Sequence, residues 1–410
     1  MIISEIQKHQ TVVILGYGKE GKATEEFIKR VHPTAKIIIA DQSCDPEYLQ
    51  AQFKGDLVIK TPGIPANLLQ VPFTTATNIY FSNCRAKKIA ITGSKGKSTT
   101  SALITHVLNS TGHSCKLLGN IGTPMISAVF ELDAIHVIEL SSYQLAEFTG
   151  TPDIAVITNL FPEHMNYHGS LDSYYEVKKQ LIAQMGSDQF FVFNPDVPKL
   201  VEWSTQTRAT AVPYLPTLPC AIEETHLIGE HNHHNMRGAY TVAKLFEISD
   251  TQIAEALKTF IPLPHRLQNL GVHAGITWID DAISTTPEST IAGLEAVKET
   301  IGKVDTIFLG GLDRGYDFSN LAPALKAAGI TTIIFFPDSG EKIEHILKDQ
   351  GFTVQHALHT TSMQEAVAFA HEHTHVGGTA LLSCASPSYS VWKNFEEKGD
   401  AFQSEVQRLT

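Results

Sequence analysis

Two glycine-rich segments carry the clearest chemical signals in the chain. The first, Gly16-Tyr-Gly18-Lys-Glu-Gly21, follows the apolar run TVVIL and matches G-x-G-x-x-G. Glycines at this spacing allow the backbone to approach a pyrophosphate at the N-terminus of a helix. Asp41 ends the next apolar run, 20 residues after Gly21, where an acid that binds ribose usually lies. NAD and other nucleoside diphosphates fit this pattern equally, and the glycines could also serve only a tight turn.

The second segment, Thr92-Gly-Ser-Lys-Gly-Lys-Ser-Thr-Thr100, follows the run KIAI and precedes a helical stretch. Its glycine amides would cradle phosphates, Lys97 would contact the terminal phosphates, and the Ser98 hydroxyl could ligate Mg²⁺. The loop has the shorter form G-x-x-G-K-S, because position 91 is isoleucine. We expect it to bind a nucleoside triphosphate.

A phosphate loop with Mg²⁺ needs a carboxylate from a neighbouring strand end. Glu139, at the end of the run HVIEL, is the best candidate. His164 follows the run IAVIT within NLFPEH, and ligands of open α/β sheets bind at the carboxyl ends of strands. The sequence therefore predicts that Glu139 and His164 act with the phosphate loop.

Two histidine-rich segments look like metal sites but have simpler interpretations. His371-Glu-His-Thr-His375 matches the H-E-x-x-H pattern of zinc hydrolases, yet two glycines follow at once and the sequence offers no third ligand. We interpret it as a solvated helix end. His231-Asn-His-His234 could ligate a metal, but its asparagines equally suit the start of a helix.

Composition restricts the class of protein. The 410 residues carry 43 acids and 31 bases, a net charge of −12 without a basic cluster, so we expect no nucleic-acid partner. The five cysteines are far apart in the sequence and no two of them form a C-x-x-C motif, which argues against a disulfide framework. The chain shows neither a secretory leader nor 18 consecutive apolar residues, so we expect a cytoplasmic protein without a membrane partner.

Short apolar runs alternate with helical-period segments, which predicts an α/β fold with parallel sheets. Loop signals near Phe81 and at Ile261–Pro264 divide the chain into units 1–85, 86–262 and 263–410. The runs that we expect to be strands are Thr11–Leu15, Lys36–Ala40, Lys88–Thr92, His136–Leu140, Ile154–Thr158, Thr306–Leu309, Thr331–Phe336 and Ala380–Ser383.

The motifs taken together resemble one family. In order they read GYGKEG, TPGIP, TGSKGKSTT, GNIGTP, IELSSYQL, NLFPEHMNYHG, EVKKQL, GEHNHHN, PHRLQ, DDAISTTPEST, GGLDRGYDF and SCASPSYSVWKNFEEKG. This series resembles the Mur ligases of peptidoglycan synthesis, in particular those that add glutamate. The resemblance implies a Rossmann-like domain for a UDP substrate, a central P-loop ATPase-type domain, and a C-terminal Rossmann-like domain for glutamate. It also implies ATP-dependent joining of glutamate to UDP-N-acetylmuramoyl-L-alanine through an acyl phosphate, by a cytoplasmic monomer.

The resemblance also implies roles for individual residues. Lys97, Glu139, His164 and Lys178 would be catalytic, and Ser98, Glu139, His164 and Lys178 would hold two Mg²⁺ ions, with Lys178 carbamylated. ATP would contact Gly93, Ser94, Lys95, Gly96, Lys97, Ser98, Thr99, Asn232, Asn235, Arg266 and Asp281. The UDP substrate would contact Gly16, Gly18, Lys19, Glu20, Asp41, Gln42, Thr61, Asn120, Ser141 and Gln144. Glutamate would contact Thr285, Arg314, Ser388, Tyr389 and Phe395.

Some positions depart from the family pattern. Ile283 stands where many members have a lysine, beside the expected glutamate site, and Phe161 and Glu163 replace the commoner Thr and Asp. We expect D-glutamate as the substrate, with L-glutamate as the alternative. Two other classes are a nicotinamide dehydrogenase, which would explain GYGKEG alone, and an ATP-binding regulator without ligase activity.

Overall fold

The computed structural model describes residues 1–162 and 165–409. Within them, the chain forms three β-sheets with helices in the connections. The residues form two compact units. The N-terminal unit comprises Met1–Cys220 and His234–Leu257 and contains the first two sheets, whereas the C-terminal unit comprises Ala221–His233 and the chain from Lys258 onward and contains the third. The boundaries at residues 85 and 262 stay a prediction.

The first sheet has the strand order β2-β1-β3-β4 and is parallel throughout. Apolar side chains at Val12–Leu15 are buried, because both faces of this strand are covered. The strands are β1 (Thr11–Leu15), β2 (Lys36–Ala40), β3 (Leu57–Lys60) and β4 (Phe73–Thr75). The helices of this segment are α1 (Ile3–Ile6), α2 (Lys19–Val31) and α3 (Ala76–Asn83).

The second sheet has the order β10-β9-β8-β5-β7-β6, also entirely parallel. Its strands are β5 (Lys88–Thr92), β6 (Cys115–Gly119), β7 (Ile135–Glu139), β8 (Ile154–Ile157), β9 (Phe190–Phe193) and β10 (Thr210–Pro213). Its helices are α4 (Lys97–Ser110), α5 (Ser142–Leu145), α6 (Met165–His168), α7 (Leu171–Ala183), α8 (Pro198–Gln206), α9 (Glu230–Lys244) and α10 (Asp250–Thr259). Every residue of β5 is buried, so its carboxyl end is a fixed platform for the loop that follows.

The third sheet has the order β11-β12-β16-β13-β14-β15 and is parallel except where β11 pairs antiparallel with β12. Its strands are β11 (Gln268–His273), β12 (Ile276–Asp280), β13 (Val304–Gly310), β14 (Thr332–Phe336), β15 (His356–His359) and β16 (Thr379–Leu382). Its helices are α11 (Pro287–Thr300), α12 (Leu321–Ala328), α13 (Ser339–Asp349), α14 (Met363–His373) and α15 (Phe395–Gln407). The predicted α/β class with parallel sheets is confirmed. None of the described helices is long and apolar enough to span a bilayer.

Candidate active site

The phosphate loop connects β5 to α4 in the N-terminal unit, and two of its glycines touch neighbouring side chains. A Cβ on Gly93 would lie 1.9 Å from Thr158 Oγ1, and one on Gly96 would lie 2.2 Å from Asn235 Oδ1. Both glycines have positive φ angles, of 149° and 76°. Larger residues are therefore excluded at both positions, which leaves the loop amides at the N-terminus of α4 able to face an anion.

Two lysine ammonium groups converge on the loop at one carbonyl oxygen. Lys97 Nζ donates to Gly93 O at 3.0 Å and to Ser94 O at 2.6 Å. Lys178 Nζ donates to the same Gly93 O at 2.8 Å and lies 4.5 Å from the centre of the Tyr174 ring. Lys178 is only 1% exposed. Together they concentrate positive charge where a triphosphate would bind.

Tyr174 is a loop contact that the sequence analysis missed. Its hydroxyl donates to Ser94 Oγ at 3.1 Å, and Ser94 Oγ in turn donates to Phe161 O at 2.9 Å. Tyr174 precedes Lys178 by one helical turn of α7, so one face of this helix fixes both the loop and the buried lysine. The i, i+4 spacing of Tyr174 and Lys178 is the feature of the sequence from which this contact could have been predicted.

The other residues of the phosphate loop that were predicted to bind ATP differ in exposure. Lys95 is exposed, and its N–H donates to Asn159 Oδ1 at 2.7 Å. Ser98 is buried in the first turn of α4, and Thr99 next to it is half-buried. The His164 prediction lies outside the described residues.

Glu139 ends β7 and is paired with Ile91 on the neighbouring strand β5, two residues before the phosphate loop. Its side chain is buried, and its Oε1 accepts a 2.7 Å hydrogen bond from Asn120 Nδ2. Its Oε2 is buried and has no hydrogen-bond partner among the residues that the structure describes. A buried carboxylate oxygen without a donor fits a hard cation such as Mg²⁺.

The four remaining residues predicted to bind ATP divide between the two units. Asn235 belongs to the N-terminal unit, where its Oδ1 accepts from Thr100 Oγ1 at 3.2 Å. Asn232 belongs to the C-terminal unit and donates to Ile228 O at 2.8 Å. Helix α9 begins at Glu230, so the expectation that an asparagine of this segment caps the helix is wrong for Asn232, which lies inside the first turn.

Arg266 and Asp281 both lie in the C-terminal unit, where Arg266 is half-buried. Asp281 directly follows β12 and is buried, with its Oδ2 accepting from Ser383 Oγ at 2.8 Å. Burial raises the pKa of Asp281 to about 7, against hydrogen bonds from Ser284, Ser383 and the Leu267 amide that lower it.

The first sheet borders a cleft of about 470 Å³ that contains four of the residues predicted to bind the UDP substrate. They are Gly16, Asp41, Gln42 and Thr61. Asp41 accepts from Tyr17 N at 2.6 Å and from Ser43 N at 2.9 Å. The hydrogen bonds from Ser43 and Tyr17 lower the pKa of Asp41, so this side of the cleft carries a carboxylate suited to hydroxyl or N–H donors.

The other residues of this predicted set lie at helix starts or in a buried contact. Gly18 caps α2, with Lys19 as its first residue, and both are exposed. Glu20 accepts from Gln144 Nε2 at 3.1 Å, and burial raises the pKa of Glu20 to about 7. Ser141 caps α5, and Gln144 completes that capping arrangement.

The five residues predicted to bind glutamate all belong to the C-terminal unit, and two of them touch each other. The guanidinium of Arg314 lies 5.7 Å from the ring centre of Tyr389. The neighbouring Ser388 has a buried Oγ without a hydrogen-bond partner in the described part of the chain. Thr285, in the loop before α11, and Phe395, the first residue of α15, are both half-buried.

Lys398 is a second residue that the sequence analysis missed. It is fully buried in α15, within the motif KNFEEKG that contains Phe395. Burial raises the pKa of the Cys384 thiol, and the charge of Lys398 opposes that shift. The H-E-x-x-H segment, in contrast, straddles the end of α14, which is His373, and its first histidine, His371, is exposed.

The chain is similar to known proteins along almost its whole length. The Mur ligase middle domain family matches residues 91–217, and the family described as Mur ligase, glutamate ligase domain matches residues 265–386. A UDP-N-acetylmuramoylalanine–D-glutamate ligase from Streptococcus agalactiae serotype Ia is 32% identical over 98% of both chains. A UDP-N-acetylmuramoyl-L-alanine–L-glutamate ligase from Salinispora tropica is 32% identical over 97% of both chains.

Solved structures are similar at the level of the fold. The crystal structure of a UDP-N-acetylmuramate-alanine ligase from Thermotoga maritima has a TM-score of 0.64 at 18% identity and covers 98% of this chain and 100% of its own. The two family matches and the full-length relatives agree with the fold. The chain belongs to the Mur ligase family.

Proposed function

We propose that this protein is an ATP-dependent ligase that joins glutamate, D-glutamate being favoured, to the L-alanine carboxylate of UDP-N-acetylmuramoyl-L-alanine. The observation that carries the proposal is the phosphate loop with Lys97 and Lys178 on one carbonyl oxygen. Relatives named for this reaction are similar along almost the whole chain, which supports the same substrates here. We expect it to act as a cytoplasmic monomer in peptidoglycan precursor synthesis.

The first step would make an acyl phosphate. A carboxylate oxygen of the alanine attacks the γ-phosphorus of ATP, and the bond between that phosphorus and the bridging oxygen breaks as ADP leaves. Both reactants are anionic, so the ammonium group of Lys97 and the amides at the N-terminus of α4 would offset their repulsion. Ser98 and Glu139 would hold Mg²⁺, which when bound neutralises phosphate charge.

Lys178 would serve the same anionic site in one of two chemical forms. As an ammonium it adds positive charge beside Lys97, whereas as a carbamate it offers hard oxygens to a second Mg²⁺. Its burial and its bond to Gly93 O keep the nitrogen at the loop in either case. We place His164 at this second metal position on the family pattern alone.

The second step would form the amide. The neutral glutamate amine attacks the acyl carbon and gives up one proton to solvent, and the tetrahedral intermediate collapses with departure of phosphate, which takes the electron pair of the broken C–O bond. Arg314, whose guanidinium lies 5.7 Å from the Tyr389 ring centre, would bind one carboxylate of glutamate as a bidentate fork. The buried Ser388 hydroxyl would donate to the same substrate, which would satisfy its missing hydrogen bond.

L-glutamate is the second candidate substrate, and one observation favours it. Ile283 lies in the loop before α11 where many family members have a lysine, so the cation that those members carry at this position is missing here. The Salinispora tropica relative is named as an L-glutamate ligase. The amino acid isomer is therefore the property that an assay has to decide.

The test is ATP-dependent phosphate release with UDP-N-acetylmuramoyl-L-alanine, measured separately with D-glutamate and with L-glutamate. Release with one isomer identifies the substrate. ATP binding without release for either isomer would refute the ligase proposal in favour of a regulator, and NADH binding in the first cleft would favour a dehydrogenase.

Adjacent lysines provide a matched control for this assay. Lys178→Ala should reduce phosphate release at least 100-fold, because it removes a buried charge from the loop. Lys179→Ala should leave release unchanged, because Lys179 Nζ instead donates to Gln206 Oε1 at 2.7 Å, away from the loop. Equal loss in the two variants would contradict the assignment of Lys178.

A further inference from the structure

Asn120 holds Glu139 through both its main chain and its side chain. Asn120 N donates to Glu139 O at 3.0 Å, and Asn120 Nδ2 donates to Glu139 Oε1 at 2.7 Å. The contact joins the carboxyl ends of the neighbouring strands β6 and β7, where Gly119 pairs with Glu139. The family resemblance assigned Asn120 to the UDP-sugar, whereas its amide is used on a predicted metal ligand.

The backbone before Asn120 is built for this close approach. Gly119 has a φ of 103°, and a Cβ on it would lie 2.2 Å from Glu139 O. Any other residue would push the two strand ends apart, and the amide of Asn120 would no longer reach the carboxylate. The glycine and the asparagine therefore act as one unit around Glu139.

The two oxygens of Glu139 differ in a way that suits a metal ligand. Oε1 receives the Asn120 N–H, whereas Oε2 is buried without a hydrogen-bond partner in the described part of the chain. One hydrogen bond fixes the rotation of the carboxylate, and the free oxygen remains as a ligand. A buried carboxylate oxygen with no donor is costly unless a cation neutralises it.

We propose that Asn120 is a positioning residue that orients Glu139 for Mg²⁺ bound with the adenine nucleotide. This inference rests on the proposed function only in taking Mg²⁺-ATP as a substrate. Hydrogen bonds to metal ligands typically change metal affinity about 10- to 100-fold. Loss of the Asn120 amide should therefore weaken the coupling between Mg²⁺ and nucleotide by that factor.

The experiment measures the affinity of the full-length protein for ADP at a series of Mg²⁺ concentrations by calorimetry. In the unmodified protein, Mg²⁺ should tighten ADP binding, and the ratio of the two dissociation constants gives the coupling. Asn120→Ala should reduce that ratio at least 10-fold while the affinity for ADP without Mg²⁺ stays the same. Asn120→Ser keeps a polar group at this exposed position, but the shorter side chain cannot reach Glu139 Oε1. It should therefore reduce the ratio as much as Asn120→Ala does.

Asn109→Ala is the matched control. Asn109 lies near the end of α4, and its Oδ1 accepts from Cys115 N, at the start of β6, at 2.8 Å, so it holds the opposite end of the same strand. This variant should retain the Mg²⁺ coupling. In a Glu139→Gln background, Asn120→Ala should add no further loss, because the carboxylate that it orients is already absent.

Three results would overturn the proposal. One is unchanged Mg²⁺ coupling in both Asn120 variants, and another is equal loss in Asn109→Ala. The third is weaker binding of UDP-N-acetylmuramoyl-L-alanine with intact Mg²⁺ coupling, which would return Asn120 to the substrate role. A protein that binds ADP with Mg²⁺ but forms no amide would refute the proposed function and leave this test valid, so the two failures are distinguishable.

Discussion

The three glycines of GYGKEG are required for different physical reasons. Substituting them one at a time therefore distinguishes a nucleotide-binding site from a simple turn. A Cβ on Gly16 would lie 1.9 Å from Thr61 Oγ1, and one on Gly21 would lie 2.2 Å from Gly16 O. A Cβ on Gly18 would have no atom within 4 Å, and Gly18 has a φ of −73°. Folding therefore requires the first and third glycines but not the second.

The expected effects on stability follow from these distances. Gly16 has a φ of 87°, so Gly16→Ala adds about 1–2 kcal/mol of backbone strain to the overlap with Thr61, itself about 1–3 kcal/mol. In a unit of this size the melting temperature should fall by roughly 10 °C. Gly18→Ala should shift it by about 2 °C or less, because reduced unfolded-state entropy offsets a slightly poorer helix cap.

The expected effects on binding are the reverse. If the diphosphate of UDP occupies the N-terminus of α2, a methyl group on Gly18 would displace it from the helix amides. A charge-assisted hydrogen bond is worth about 1.5–3 kcal/mol, so Gly18→Ala should weaken UDP binding about 10- to 100-fold.

Calorimetric titration with UDP and thermal unfolding, performed on the same preparations, measure the two effects together. The expected pattern is a stable Gly18→Ala protein with weak UDP binding. A Gly18→Ala protein that binds UDP like the unmodified protein would refute the reasoning and show that these glycines serve only the turn. A large loss of stability in Gly18→Ala would contradict the structure itself.

Three further predictions concern single side chains. Burial raises the pKa of Glu20 from 4.5 to about 7, so the ionised carboxylate destabilises the folded protein. This destabilisation is absent below pH 4.5 and reaches its full size above pH 7. Glu20→Gln should therefore raise the melting temperature at pH 8 but not at pH 4.5, and equal shifts at the two pH values would contradict this cause. Desolvation lowers the pKa of His265, whereas its 2.7 Å hydrogen bond to Asp280 and the charges of nearby carboxylates raise that pKa. The raising effects together are larger, so the net shift is upward. Stability from that pair is complete below pH 6.5 and is lost as pH rises through the raised pKa; Asp280→Asn should abolish this loss in melting curves between pH 6 and 9, and an unchanged pH profile would refute it. Ser388→Ala removes a hydroxyl without a hydrogen-bond partner, so stability should not fall while the KM for glutamate rises about 10-fold, and an unchanged KM would exclude Ser388 from the site.

The sequence predicted strands where apolar residues form a continuous run, but it did not single out every buried strand, since β3 (Leu57–Lys60) is fully buried and was not among the expected runs. The run TVVIL coincides with β1, where continuous apolar residues are required because the strand is covered on two sides. The run KIIIA coincides with β2, an edge strand whose residues are half-buried or exposed. The β11–β12 hairpin gave no such signal. Strand β11 is a largely exposed edge, and its turn has positive φ angles at Ala274 and Gly275, where asparagine or glycine is usual at the first position.

The same limit applies to the candidate site. The phosphate loop was predictable because all its residues lie within one turn, so that spacing alone fixes their geometry. The contacts of Tyr174 with Ser94 and of Asn120 with Glu139 join residues 80 and 19 positions apart in the sequence. Strand order decides such contacts, and a single sequence does not contain the strand order.

In the proposed function, phosphates and carboxylates are bound by different parts of this chain, and the reason is chemical. A diphosphate or triphosphate offers many oxygens of similar charge, so backbone amides at the start of α2 or α4, ahead of which Gly18 and Gly96 leave no side chain, suffice to bind it. Those amides cannot distinguish one amino acid isomer from its mirror image. Selection between D- and L-glutamate requires directional side-chain contacts, such as the bidentate fork that Arg314, beside Tyr389, would offer to a carboxylate. We therefore expect substitutions in the loop before α11, including one at Ile283, to change the preferred isomer without affecting the binding of UDP or ATP.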